Sequence, residues 1–193
     1  MTVPDWLSQT LEETRFPLQP VEAETTAPPG DIARVVPAVV RPFSADELDS
    51  AWLDWSAYSP MLADVVLVLA RSGLRWGEAC ALTVDDADAE TLTIDKSAGK
   101  DGRVRSFLAS RVRQVPVAAR IRPIVERLVA GRDEDELLLT TSLGEPLHRT
   151  AVLRRLNWSE TGRGRRLHDL RHTAAHLWLA EGADPADVRS WLG

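Results

Sequence analysis

Residues 61–70, MLADVVLVLA, restrict the possible folds of this chain more than any other stretch. A helix drawn through them is apolar nearly all round, so it has no face to offer water and must be enclosed by other elements. Asp64 interrupts the run, and its length falls well short of the roughly 20 residues that a bilayer-spanning helix needs. The segment is therefore expected to be the central helix of a protein core, over about residues 60–71. Ser72-Gly73 would close it, with glycine supplying the left-handed turn.

The pattern on either side decides the fold class. Ser44 and Glu47 have the spacing of a capping box, and Leu48, Ala51, Trp52 and Trp55 follow at helical intervals. A third short helix is expected to end near Leu82. The period then changes to two: TLTI (91–94), RVRSFLAS (103–110) and RQVPVA (113–118) read as strands, the first two joined by the turn GKDG. Helical spacing returns with Ile121, Ile124, Val125, Leu128 and Val129 before Gly131. It continues through TAVLRRLNW and through HDLRHTAAHLWLAEG, with Gly182 just past the helix end. DPAD (184–187) opens one more helix, Asp184 as cap and Pro185 in its first turn. These elements predict a mostly helical α+β fold with a small three-stranded antiparallel sheet. Trp76, Trp158, Trp178 and Trp191 fall at apolar helical positions and are expected in the core. No internal repeat is present.

Residues 17–42 hold six prolines with scattered acids and little apolar periodicity, as an extended arm does. The chain therefore divides into an acidic, proline-rich arm over 1–40 and a domain over 41–193. Charge is uneven across that division. Residues 1–50 carry nine acids against three bases, whereas residues 101–193 carry sixteen arginines against twelve acids, so the net −6 of the whole chain hides a basic C-terminal half. Cys80 is the single cysteine; it has no partner for an internal disulfide, and its apolar helical setting predicts a buried thiol. The N-terminus shows no basic leader followed by an apolar stretch. Together these features predict a protein of the reducing cytoplasm with no membrane partner.

Two clusters carry chemistry. Arg75, in SGLRWGEACAL, follows a glycine turn at the mouth of a helix, where free N–H groups and the helix dipole favour an anion. Its planar fork suits two phosphate oxygens. His168 and Arg171, in HDLRH, lie three residues apart and so share one helical face. Two arginines and a histidine make a phosphate clamp. Each piece has a plainer reading: an arginine near a helix start is commonly a solvated or ion-paired surface group. His168, His172 and His176 also have the i, i+4, i+8 spacing of metal ligands, but no cysteine joins them and HDLRH lacks the glutamate of HExxH. His172 and His176 are expected to serve in packing or in support of the site.

Taken in order, SGLRWGEACALTVDDADAETLTI, the strands closing on RQVPV, LLLTTSLGEPLHRTAVLRRLNW, and HDLRHTAAHLWLAEGADPADVRSWLG closely resemble the catalytic domain of the tyrosine recombinases, the phage integrase family. The resemblance runs from about Arg41 to the last residue. It implies site-specific DNA recombination through a 3′-phosphotyrosyl intermediate, with double-stranded DNA and other recombinase protomers as partners. It implies no metal and no cofactor, since bond energy is conserved. Arg75 would be the first catalytic arginine, His168 and Arg171 the His-x-x-Arg pair, and Glu78 the acidic partner that steadies the site.

Three departures from the family pattern stand out. The stretch SFLASRVRQVPV, where a general-acid lysine is usual, contains none; Lys96 and Lys100 are the only lysines, and Lys100, in the turn, is assigned that role against the alternative of a solvated turn residue. The family continues LG with a histidine, where this sequence ends at Gly193. Its nucleophilic tyrosine follows some tens of residues later, whereas the one tyrosine here is Tyr58. The expectation is a C-terminally incomplete catalytic domain, from an incomplete gene or the remnant of a mobile element, inactive alone, with Trp191 and Leu192 short of packing partners. A non-catalytic DNA-binding accessory, a site completed by another protomer's tyrosine, and a domain that keeps only the inherited fold are the alternatives.

Overall fold

A computed structural model describes residues 41–193; the arm expected over 1–40 lies outside the described residues. The first helix, α1 (Ala45–Tyr58), starts at the expected capping box: Ser44 Oγ accepts from the Glu47 N–H, and the Glu47 carboxylate accepts from the Ser44 N–H. Helix α2 (Pro60–Ser72) follows after one residue, and Gly73 closes it at φ 64°. Most of α2 is buried, as its all-round apolar sequence requires. It packs on α1 and on α7 (Asp169–Ala180). Beside it, Trp55 is fully buried, meets Phe43 edge-on and stacks on Trp158 at 5.3 Å.

Helix α3 (Trp76–Ala79) is shorter than its apolar pattern suggests. The chain leaves it because Leu82 and Thr83 turn to pair with a later segment: the Leu138 N–H donates to the Leu82 carbonyl, and Thr83 bridges Leu137. The expected three-stranded sheet is instead two antiparallel pairs. Strand β1 (Thr91–Ile94) pairs with β4 (Arg113–Pro116), and β2 (Lys96–Ala98) pairs with β3 (Val104–Ser106) across the expected Gly99–Gly102 turn. Asp95 separates the pairs. Its carbonyl takes the Phe107 N–H, and the chain then folds into a short 3₁₀ turn (Ala109–Arg111) instead of continuing as strand to residue 110.

Helices α4 (Arg122–Val129), α5 (Arg149–Arg155), α6 (Trp158–Thr161), α7 and α8 (Pro185–Leu192) complete the described residues. Asp184 caps α8 through the Ala186 N–H, as its position before Pro185 predicts. Leu192 and Val188 are buried, and Trp191 meets Trp178 edge-on at 5.2 Å. The end of α8 thus finds its partners on α7 and β4, contrary to the expected shortage. Trp158 and Trp178 are buried as predicted, while Trp76 and Trp191 are half-buried. Cys80 is also only half-buried, but burial still pushes its thiol up to about 11, so it stays protonated.

Gly77 fixes how closely α3 approaches β2. A Cβ there would lie 2.5 Å from the Ala98 carbonyl oxygen and 2.6 Å from Ser97 Oγ. Backbone cannot yield to that contact as a flexible side chain can. Gly77→Ala is therefore expected to cost about 1–3 kcal/mol, the usual range for overpacking. Denaturant unfolding reads the loss; an unchanged midpoint would mean that the two elements separate freely.

Candidate functional site

The turn after α2 and the start of α7 bring the two sequence clusters together. Gly73 packs against Ala174, Trp178 and Leu192, and its carbonyl accepts from Arg171 at 2.7 Å. Arg171 thus binds the turn that delivers Arg75 two residues later, across 98 positions of sequence. The second guanidinium nitrogen of Arg171 donates to the Leu192 carbonyl and, at 3.3 Å, to that of Gly193. Arg75 reaches the same Gly193 oxygen at 3.1 Å. Two guanidiniums that share one oxygen are spaced to share an anion.

A carboxylate stands behind them. Glu78, 1% exposed, accepts from the Arg75 N–H at 2.8 Å and from the Arg75 guanidinium at 3.1 Å. The Glu78 carboxylate thus occupies the first N–H at the mouth of the four-residue α3. The oxygen of Glu78 that takes the Arg75 N–H, Oε2, also accepts from Arg113 at 2.7 Å. Burial alone would raise the Glu78 carboxyl; the Arg113 hydrogen bond and charge, with those of Arg75, outweigh it and hold the group below its ordinary 4.5.

Arg113 was absent from the sequence-level candidates, yet it is only 7% exposed and donates to both Glu78 and the Trp191 carbonyl, the latter at 2.8 Å. A signal for it exists in RQVPV. Arg113, Val115 and Val117 share one strand face by period two, and Val115 and Val117 are buried. A cation on the core face of a strand implies a buried acid opposite.

Burial pushes the Arg171 guanidinium down to about 9, helped by the positive charges of Arg75 and Arg113 and opposed by Glu78. It still carries its charge at neutral pH. Arg75 is more open, its side chain 43% exposed. His168 immediately precedes α7, makes no side-chain cap hydrogen bond, and lines a hollow with Leu69, Leu74, Trp76, Arg149 and Leu167. Its ring meets that of His172 edge-on at 5.7 Å. Desolvation first, then the charge of Arg171, lowers His168 below 6.5; desolvation and His168 do the same to His172.

Both histidines are therefore neutral at pH 7. Because the unfolded chain binds protons more readily than these partly desolvated rings, their contribution is complete above pH 6.5 and is lost as pH falls through the folded values. The groups facing them are Arg171, Arg166, Arg75 and Asp169, of which only Asp169 favours protonation. Stability should drop as pH falls below about 6.5 and drop less in His172→Gln, as urea midpoints at each pH would show. Parallel curves for the two proteins would remove these rings as the cause.

Lys100 lies exposed in the β2–β3 turn, and no contact joins it to Arg75, His168 or Arg171. Lys96 is the more enclosed lysine, paired with Asp86 at 2.7 Å and Asp95 at 3.2 Å on the strand that packs against α3. His176 is exposed. Among the described residues no group of three or more His, Cys, Asp or Glu is placed to hold a metal ion. No described helix is long and apolar enough to cross a membrane.

The fold brings the guanidiniums of Arg75 and Arg171 to one backbone oxygen. The phage integrase family model matches residues 52–193, and the chain belongs to that family. Among solved structures it is similar to the Tn1549 transposon integrase in complex with a circular intermediate DNA. The TM-score is 0.63 at 17% identity, over 79% of this chain and 57% of that one. XerA recombinase matches at a TM-score of 0.58 and 20% identity, covering 79% and 55%. A lambda integrase dimer bound to a COC' core site matches at 0.55 and 16%, covering 79% and 57%. The chain thus spans little more than half the length of each. No curated protein matches the sequence significantly.

Proposed function

We propose that residues 41–193 hold the scissile phosphate of duplex DNA during site-specific recombination. One observation carries this reading: Arg75 and Arg171 come from opposite ends of the domain and reach a single oxygen, that of Gly193. Each guanidinium has five donors, and the internal bonds leave several free for the non-bridging oxygens of a phosphate. Family membership and the DNA-bound integrases that share the fold support the choice of ligand.

In the reaction, a tyrosine hydroxyl attacks phosphorus, the bond to the 5′ oxygen breaks, and that oxygen takes up a proton. Charge grows on the non-bridging oxygens as the phosphorus becomes pentacoordinate. Arg75 and Arg171 would stabilise it, a role in which one lost donor typically costs about 3–4 kcal/mol of barrier. Neutral His168 would take part in proton transfer, and Lys100, on the hairpin, would protonate the leaving oxygen if DNA draws the turn inward. The sequence contains one tyrosine, Tyr58, whose hydroxyl accepts from Asn157 at 3.4 Å rather than joining the arginine cluster. The nucleophile is accordingly assigned to polypeptide other than these residues, such as a second protomer.

Duplex-DNA binding tests the reading. Affinity should be weak, sequence-independent and steeply salt-dependent, because neutralised phosphates release counterions. Arg75→Ala should weaken it across all sequences and reduce the salt slope by about one. Deleting residues 1–40, which carry six acids against two bases, should strengthen it. Tight binding that ignores salt and survives Arg75→Ala and Arg171→Ala would overturn the proposal.

A further inference from the structure

Three arginines meet the last turn of α8. Arg113 donates to the Trp191 carbonyl, Arg171 to that of Leu192, and both Arg171 and Arg75 to the backbone oxygen of Gly193, the last residue of this sequence. Helix C-terminal carbonyls lack intrahelical donors and carry the negative end of the dipole, so guanidiniums are suitable partners. The three are not equivalent. Arg75 is partly open to solvent, whereas the side chain of Arg113 is almost wholly enclosed. Its stem packs under Gly193, where a Cβ would lie 2.9 Å from Arg113 Cδ.

We infer that Arg113 is a positioning residue for the arginine pair. One fork of its guanidinium holds Glu78, and Glu78 holds both the backbone and the side chain of Arg75. The other holds the end of α8, whose next carbonyl holds Arg171. A single planar group therefore sets the distance between the two clamp arginines from behind. Lysine keeps the charge but not the fork: a point donor on a flexible stem does not hold two acceptors in fixed directions. The inference rests on the phosphate-clamp reading of Arg75 and Arg171.

Neutralising Glu78 is the other role open to Arg113, and a variant series separates the two. Glu78→Gln removes the buried negative charge and serves as the reference; E78Q/R113M then deletes the fork without leaving a carboxylate unpaired. Two readouts are taken on the full chain: the side-chain Nε–Hε resonances of Arg75 and Arg171 in the free protein, and duplex-DNA affinity at low salt. If Arg113 positions the pair, E78Q/R113M melts close to E78Q, yet the Arg171 resonance shifts and DNA binding falls about tenfold, the value of one charge-assisted hydrogen bond. Unchanged resonances and affinity relative to E78Q overturn the inference and leave Arg113 as a counter-ion only. Should E78Q/R113M fail to fold, Arg113→Lys decides, with the same shift and loss expected and wild-type behaviour overturning it. Absence of Arg75-dependent DNA binding in the wild type would defeat the DNA reading alone, because the resonances report the geometry without DNA.

Discussion

Replacing Glu78 with alanine is expected to destabilise the domain by about 3–5 kcal/mol, the cost of stripping one partner from a buried ion pair. The size follows from what remains. Arg113, with its side chain 7% exposed, would keep the Trp191 carbonyl but lose its only counter-charge among the described residues in a setting largely closed to water. The half-exposed Arg75 would contribute much less to the loss, since solvent screens it and exposed pairs are worth about 0–1 kcal/mol. Domains are stable by only about 5–15 kcal/mol, so much of the reserve disappears. Glu78→Gln, which keeps the shape and an acceptor, should cost less than Glu78→Ala. Acid should act in the same direction: the folded Glu78 carboxyl lies below 4.5, so its stabilisation is complete above that value and is lost as pH falls through the folded one. Urea unfolding at neutral pH measures the substitution, and a loss below about 1 kcal/mol would mean that water reaches Arg113.

A nicked suicide DNA substrate should form no covalent adduct with these 193 residues alone. Attack on phosphorus needs a hydroxyl about 3–3.5 Å away and in line with the leaving oxygen. Tyr58 ends α1 and bonds to Asn157 beside α6, while the arginine pair converges on the end of α8. The substrate should still bind, weakly and through Arg75 and Arg171. Supplying a tyrosine-bearing recombinase segment, together with a domain that clamps the other side of the duplex, should yield the 3′-phosphotyrosyl adduct by gel shift under denaturing conditions. An adduct that Tyr58→Phe abolishes in the isolated chain would require a different assignment of roles.

Sequence alone determined the local structure and pointed to the residues proposed as the clamp. The Ser44 capping box, the enclosed α2, the Gly73 stop and the Asp184 cap depend on interactions within about four residues, so periodicity and cap chemistry reveal them. Arg75, His168 and Arg171 were legible because each sits in a short motif. Strand pairing and partnership were decided by the tertiary structure. RVRSFLAS has strand periodicity throughout, but β3 keeps only three residues, because Phe107 pairs with Asp95 and the chain must bring Arg113 beside Ile94. Helix α3 stops where Leu82 meets Leu138, a contact spanning 56 positions. Trp191 and Leu192 look unpartnered in sequence and are covered by α7 and β4. Arg113 was missed for the same reason: its partners, Glu78 and Trp191, lie 35 and 78 residues away. A side chain's exposure to water is set by groups distant in sequence, and an arginine becomes a buried strut rather than a solvated surface charge only where the fold brings a carboxylate and a helix end to meet it.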